Sequence, residues 1–340
     1  MDLTRRDLGA LSLGALTAGT LRAGPDSAFG GVHVGINAPY SFHGVADSAD
    51  EVLAALLKLG LSTVELRSQP VERSLGAPEN PRTLRQRLRA EARARSAGRP
   101  APSSGAEERP RRRRRPSPEQ QAALEAAALD LRGWRTSTSM DGFKSFRQKY
   151  ADAGVKIDVV KFDSVDGMVD DELDYMFQAA KALGARFVSC EPPLSTTKRI
   201  GQFAEKHKVM VGYHGHAAVD RPEAFATPES FEEATSHTPY NGANVDIGHW
   251  IAGNGYSPAE FIKKHHKRIT NLHIKDRKKN QGEDTPWGEA DTPIIEILQL
   301  MKREKYDFMA TIEMEHRIPE GSDVMTEIAK CVQYCRDALA

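Results

Sequence analysis

The stretch from Gly242 to Glu315 contains "GANVDIGHW" (242–250), "SPAEFIKKHHKR" (257–268), "ITNLHIKD" (269–276), "TPIIEILQLMKREK" (292–305) and "DFMATIEME" (307–315). Short runs rich in Val, Ile, Leu, Met and Thr alternate with longer segments whose apolar residues recur at helical spacing. The short runs read as strands of a parallel sheet covered on both faces. Strand, helix and strand in this order imply right-handed βαβ units.

The pattern extends towards the N-terminus. Strands are predicted at "GGVHVGINA" (30–38), "STVELRS" (62–68), "VKIDVVKF" (155–162), "ARFVSCEP" (185–192) and "VMVGYHGH" (209–216). Helices are predicted at "SADEVLAALLKLG" (48–60), with Ser48 as N-cap, and at "SPEQQAALEAAALDLRGW" (117–134), with Ser117 and Pro118 at its start. Further helices are "MDGFKSFRQKYADAG" (140–154), "DDELDYMFQAAKALG" (170–184), "TTKRIGQFAEKHK" (196–208), "TPESFEEATSHT" (227–238) and the closing "DVMTEIAKCVQYCRDAL" (323–339). Eight strands, each followed by a helix, in about 250 ordered residues fit an α/β fold of the (β/α)8 TIM-barrel type. A doubly wound open sheet is the alternative, and the lack of a GxGxxG at the first turn argues against its dinucleotide-binding form.

The 340 residues are 39% hydrophobic and 28% charged, ordinary for a soluble globular chain. Basic and acidic residues balance at 47 each, so net charge points to no acidic partner. Arginine crowds between Arg82 and Arg115, which leaves the remainder net acidic. Residues 76–117, which include "RQRLRAEARARSAGRPAPSSGAEERPRRRRRPS" (85–117), hold few apolar side chains and read as a disordered, low-complexity insertion after strand two. The insertion lacks aromatic residues for base stacking, so no nucleic-acid partner is expected. Cys190, Cys331 and Cys335 form no disulfide or zinc-knuckle pattern and read as buried thiols.

The first residues, "MDLTRRDLGALSLGALTAGTLRAG" (1–24), place Arg5 and Arg6 before a weakly apolar run and small residues near Ala23. This is the layout of a twin-arginine export signal over residues 1–23, ahead of a barrel over residues 29–340. The expected location is periplasmic or secreted, with no membrane attachment after signal cleavage. A homo-oligomer is compatible with the sequence.

Catalytic groups of such barrels lie at the C-terminal ends of the strands. Those ends carry Glu65 and Arg67, Lys161 and Asp163, Glu191, His214 and His216, Asp246 and His249, His273 with Lys275 and Asp276, and Glu313 with Glu315 and His316. Together they form a mouth rich in carboxylate and imidazole, a donor set suited to Mn, Zn, Mg, Co or Fe. The two-residue period of a strand puts His214 and His216 on one side, and likewise His273 and Lys275, and Glu313 and Glu315.

"NVDIGHW", "NLHIKD" and "ATIEMEH" resemble the signatures of strands six, seven and eight in the xylose isomerase-like barrels, a superfamily of sugar isomerases and epimerases, inosose dehydratases and, more distantly, endonuclease IV. The likeness is strongest from Glu191 to Glu315. "RITNLHIKDRKK" (268–279) and "TPWGEADTPI" (285–294) look like a secreted bacterial subgroup of the sugar phosphate isomerase/epimerase type. The resemblance implies one divalent metal held by a Glu, an Asp, a His and a second Glu. Asp246, His273 and Glu313 match the last three, and His249 matches a histidine that contacts substrate. The first Glu is missing: its usual place, the end of strand five, holds His214. Glu191, one strand earlier, is the expected replacement because it preserves the charge of the set. His214 or His216 is the alternative.

The implied activity is a metal-dependent sugar isomerase or epimerase that removes a proton beside a carbonyl of a keto-sugar or cyclitol. Glu313 is the expected base with Glu191 or His214 as partner, while His216, His249 and Lys275 bind substrate. The histidine pair equally suits a lyase, a dehydratase or an enzyme cleaving 3-keto-glycosides by β-elimination. An endonuclease IV-like phosphodiesterase would need further histidines on strands three and four. A non-catalytic sugar-binding barrel would not need the full ligand set.

Overall fold

A computed structural model of the chain describes residues 24–97 and 116–340. Eight short strands form its centre: β1 (Val32–Ala38), β2 (Thr63–Arg67), β3 (Lys156–Phe162), β4 (Phe187–Cys190), β5 (Met210–His214), β6 (Asn241–Asp246), β7 (Ile269–Ile274) and β8 (Met309–Ile312). Each pairs in parallel with its neighbours in chain order. Pairing of β8 with β1 then closes the barrel. A two-residue strand, Ala28–Phe29, folds back antiparallel on β1.

The helices form where local chemistry starts and stops them. α1 (Ala49–Leu59) opens on a capping box, with Ser48 Oγ accepting from Glu51 N and Glu51 Oε2 accepting from Ser48 N. It ends at Gly60, whose φ of 71° suits a residue without Cβ. Four helices follow β2: α2 (Ser68–Ser74), α3 (Pro81–Ala97), α4 (Pro118–Ser137) and α5 (Asp141–Asp152). Ser117 and Gln120 form a second capping box at the start of α4, with Pro118 in the first turn. Then come α6 (Asp170–Ala182), α7 (Thr197–His207), α8 (Pro228–Ser236), α9 (Ile247–Asn254), α10 (Ala259–His265), α11 (Ile294–Glu304) and α12 (Val324–Leu339). Val188, Val211, Val245, Leu272 and Ile312 are fully buried.

Within the segment expected to be disordered, 76–117, residues 81–97 form the helix α3. Arg, Glu, Ala and Leu are good helix formers, so a segment poor in apolar residues still winds where one face finds a partner. Leu84 supplies that contact, buried to 8% exposure, as does Leu124 on α4. Arg87 adds ion pairs to Glu79 and Glu91 at 2.9 and 3.2 Å. Residues 98–115 and the proposed signal, 1–23, lie outside the described residues. Cys190, Cys331 and Cys335 are buried and free.

The interior of the barrel beneath its C-terminal mouth is polar. Asn37, Glu65, Lys161, Ser189, Asn244, Asn271 and Thr311 are each fully buried there. Asn271 Nδ2 donates to Glu65 Oε2 at 2.8 Å, and Asn244 Nδ2 donates to Ser189 Oγ at 3.0 Å. Two strand irregularities, at Val64/Glu65 and Ala243/Asn244, fall beside this layer. Such bulges commonly turn side chains near active sites.

Candidate metal centre and active site

Asp246 ends β6 and stands in register with His273 of β7, so both side chains point to the same face, the barrel interior. Asp246 also caps α9, since its Oδ1 accepts from His249 N at 2.6 Å. That leaves Oδ2 to face the mouth, where Lys275 Nζ stands 2.9 Å away. Gly248 allows this approach: a Cβ there would lie 2.6 Å from Lys275 Cγ and 3.0 Å from its carbonyl oxygen.

Four buried residues bring one donor atom each to a common point. Donors of His214, Asp246, His273 and Glu313 all lie within 4.8 Å of one another. His214 Nε2 is 3.6 Å from Asp246 Oδ2 and 3.8 Å from Glu313 Oε2, and His273 Nδ1 is 3.2 Å from Glu313 Oε1. Four ligands at ordinary zinc distances stand roughly 3.4 Å apart in a tetrahedron. The three spacings above, taken to either Glu313 oxygen, lie on both sides of that value. His214 Nε2 is buried and makes no hydrogen bond among the described residues, and Asp246 Oδ2 is ion-paired with Lys275 Nζ at 2.9 Å. A buried nitrogen without a hydrogen bond is costly, and a cation among the four donors would satisfy His214 Nε2. The residues therefore fit a divalent metal, with two imidazole and two carboxylate donors.

Carboxylates behind the imidazoles complete the arrangement. His273 Nε2 lies 2.5 Å from Glu65 Oε2, which fixes the proton on that nitrogen and presents the Nδ1 lone pair to the cluster. Burial alone would lower the His273 pKa, but Glu65 and Glu313 on its two sides push it up to about 9. A metal would take the place of the second proton. His214 is built the same way, with Glu191 Oε1 3.3 Å from its Nδ1.

Glu191, expected as the fourth ligand, lies outside this four-donor set, which holds His214, and makes a second group of possible donors with His214 and His216. The physical reason is reach: Glu191 ends β4, lies on the far side of the His214 ring, and is drawn to Lys161 of β3 and to His216. Burial opposes its ionisation, yet Lys161 first and the two imidazoles next hold its carboxyl well below the usual range. Its side chain is 30% exposed, whereas those of Asp246 and Glu313 are at 0% and 3%. Glu191 is thus the more accessible carboxylate from the mouth.

Lys275 is buried at the other edge. Its Nζ is 2.9 Å from both Asp246 Oδ2 and Glu313 Oε2, and it is also paired with Glu315. Burial would lower its pKa, but these three carboxylates hold it well above the lysine range. Glu313 is further held by Asn37, whose Nδ2 donates to Oε1 at 2.7 Å. His249 has Nε2 3.0 Å from Lys275 Nζ and Nδ1 2.6 Å from Arg277. Burial, with Lys275 adding to it, keeps this imidazole neutral. His216, on the same side of the strand end as His214, is exposed and reaches Glu191 at 3.4 Å. Asp276 is a structural residue, accepting from the backbone N–H groups of Gly288, Glu289, Ala290 and Thr292.

Residues 53–334 match the family described as xylose isomerase-like TIM barrel, and the chain belongs to that family. Among solved structures, the fold is similar to a xylose isomerase domain protein from Alicyclobacillus acidocaldarius. That match has 13% identity and a TM-score of 0.54, covering 90% of this chain and 99% of that one. It is also similar to the IOLI protein with a binding zinc atom, at 14% identity and TM-score 0.54, covering 90% and 98%. AsbF from Bacillus anthracis, described as a probable 3-DHS dehydratase in petrobactin synthesis, aligns at 12% identity and TM-score 0.54, covering 88% and 98%. No curated protein matches the chain.

Proposed function

We propose that the chain is a divalent-metal-dependent isomerase or epimerase acting on a keto-sugar or cyclitol. The observation that carries this reading is the four-donor set of His214, Asp246, His273 and Glu313 with a separate, ionised carboxylate, Glu191, at its open edge. When bound, the metal supplies Lewis acidity to a substrate carbonyl and makes the adjacent C–H acidic. Glu191 takes that proton and returns it to another carbon or face. Lys161 keeps Glu191 ionised between turnovers. Glu313, hydrogen-bonded by Asn37 and paired with Lys275, is placed to hold the metal rather than to move. Neutral His249 and exposed His216 meet substrate hydroxyls, and Lys275 balances negative charge at the acidic side of the site. Export by the twin-arginine route belongs to this proposal and rests on Thr4–Arg5–Arg6–Asp7–Leu8. Among the described residues, no helix is long and apolar enough to cross a membrane.

A second reading, a carbon–oxygen lyase, is favoured by one feature. The His214 and His216 rings stand 4.9 Å apart, both against Glu191, so an imidazole acid lies beside the base. An acid there would protonate a leaving oxygen. One experiment separates the readings. Metal-loaded protein is incubated with 3-keto-glucosides and inososes in D2O and followed by NMR. The proposal expects deuterium at the carbon beside the carbonyl, an isomeric product, and a loss of about 10²-fold or more in Glu191→Gln. An unsaturated or deglycosylated product selects the lyase. Absence of exchange across these substrates contradicts both.

A further inference from the structure

Across the mouth from the four-donor set, the ends of β1, β2 and β3 together with α2 and the first turns of α3 enclose a cavity of about 250 Å³. Its charged lining is uneven, with the guanidiniums of Arg67, Arg73 and Arg82 against the carboxylates of Asp47 and Asp163. Arg67 and Arg82 share the Asp163 carboxylate at 2.9 and 2.6 Å, and Gln69 Nε2 donates to the same group at 2.7 Å. Arg73 donates to the backbone oxygen of Asp47 at 2.6 Å. Arg67 is 8% exposed, and its Nε is buried without a hydrogen bond among the described residues. Each guanidinium offers five N–H donors, so donors exceed acceptors in this cavity. A buried guanidinium, Arg67, that shares its carboxylate with the exposed Arg82 leaves N–H donors for a second anion.

Tyr40 forms the wall between this cavity and the metal-binding side. The Arg67 guanidinium lies over its ring, 4.7 Å from the centroid. Its hydroxyl donates to Glu315, which is paired with Lys275. Tyr40 therefore touches both regions, with its ring against Arg67 and its hydroxyl against Glu315.

We propose that this cavity is the subsite for an anionic group, a carboxylate or a phosphate, on the substrate whose reacting end lies at the four-donor set. The inference rests on the sugar or cyclitol reading above and deepens it: the substrate is a sugar acid or a sugar phosphate. Guanidiniums recognise both groups through paired N–H donors.

Calorimetric titration of the metal-loaded full chain with D-glucuronate, D-glucose 6-phosphate and D-glucose tests it, with metal content measured on the same samples. At least one charged sugar is expected to bind roughly tenfold or more tighter than glucose, with added salt weakening that preference. The double variant Arg73→Gln/Arg82→Gln changes two exposed side chains and is expected to abolish the preference while metal content stays unchanged. The charged sugar that binds identifies the anion. Equal binding of all three sugars, binding of none, or a preference that survives the double variant overturns the subsite. Protein that holds no metal but still prefers the charged sugar counts against the metal reading and leaves the subsite standing.

Discussion

His273 stands between two carboxylates, Glu65 at Nε2 and Glu313 at Nδ1, and this decides which nitrogen is available to a metal. Glu65→Gln keeps the shape of the side chain and removes its charge. Metal affinity should fall about 10- to 100-fold, read by competition with a chromogenic chelator, while the fold melts normally. An unchanged affinity would show that Glu65 does not tune His273. The strand-end pattern in the sequence brought out Asp246, His273 and Glu313 as candidates. It marked Glu65 only as a polar strand end, because its role depends on a partner 208 positions away on a strand it does not adjoin. His214 and Glu191 were both legible as candidates. Charge counting favoured Glu191 as ligand, and only the direction of approach around the His214 ring favours the imidazole.

At the scale of elements, the helices after β2 are held to the barrel by a buried ion network. Arg135 of α4 is 6% exposed, with Nε 2.8 Å from Glu72 of α2 and one NH group 3.2 Å from Glu172 of α6. Tyr175 Oη also donates to Glu72 at 3.0 Å. Arg135→Met would leave buried Glu72 without its cation and Glu172 with Arg132 alone, so it should cost about 3–5 kcal/mol in denaturant unfolding. A loss under about 1 kcal/mol, the worth of a surface pair, would mean that water solvates the network. The helices themselves were readable from caps and period, as at Ser48 and Ser117. α3 was not, because its arginine-rich composition resembles disorder and its buried contact among the described residues, Leu84, comes from tertiary packing.

Across the whole molecule, strand alternation made the barrel legible, since eight parallel strands alternating with helices have few other ways to bury both faces. Closure between β8 and β1 then brings donors from β5, β6, β7 and β8 to one point, with Glu65 of β2 supporting them from across the barrel. Sequence order cannot show that convergence in detail, because distances between strand ends depend on register and on the irregularities at Glu65 and Asn244. The central claim is that these four donors, and not Glu191, hold a metal. Anomalous diffraction from crystals of the metal-loaded protein tests it most directly. The account predicts one ion at about 2.0–2.2 Å from His214 Nε2, Asp246 Oδ2, His273 Nδ1 and a Glu313 oxygen, with Glu191 unbound. An ion ligated by Glu191 in place of His214, or no ion at this point, would contradict it.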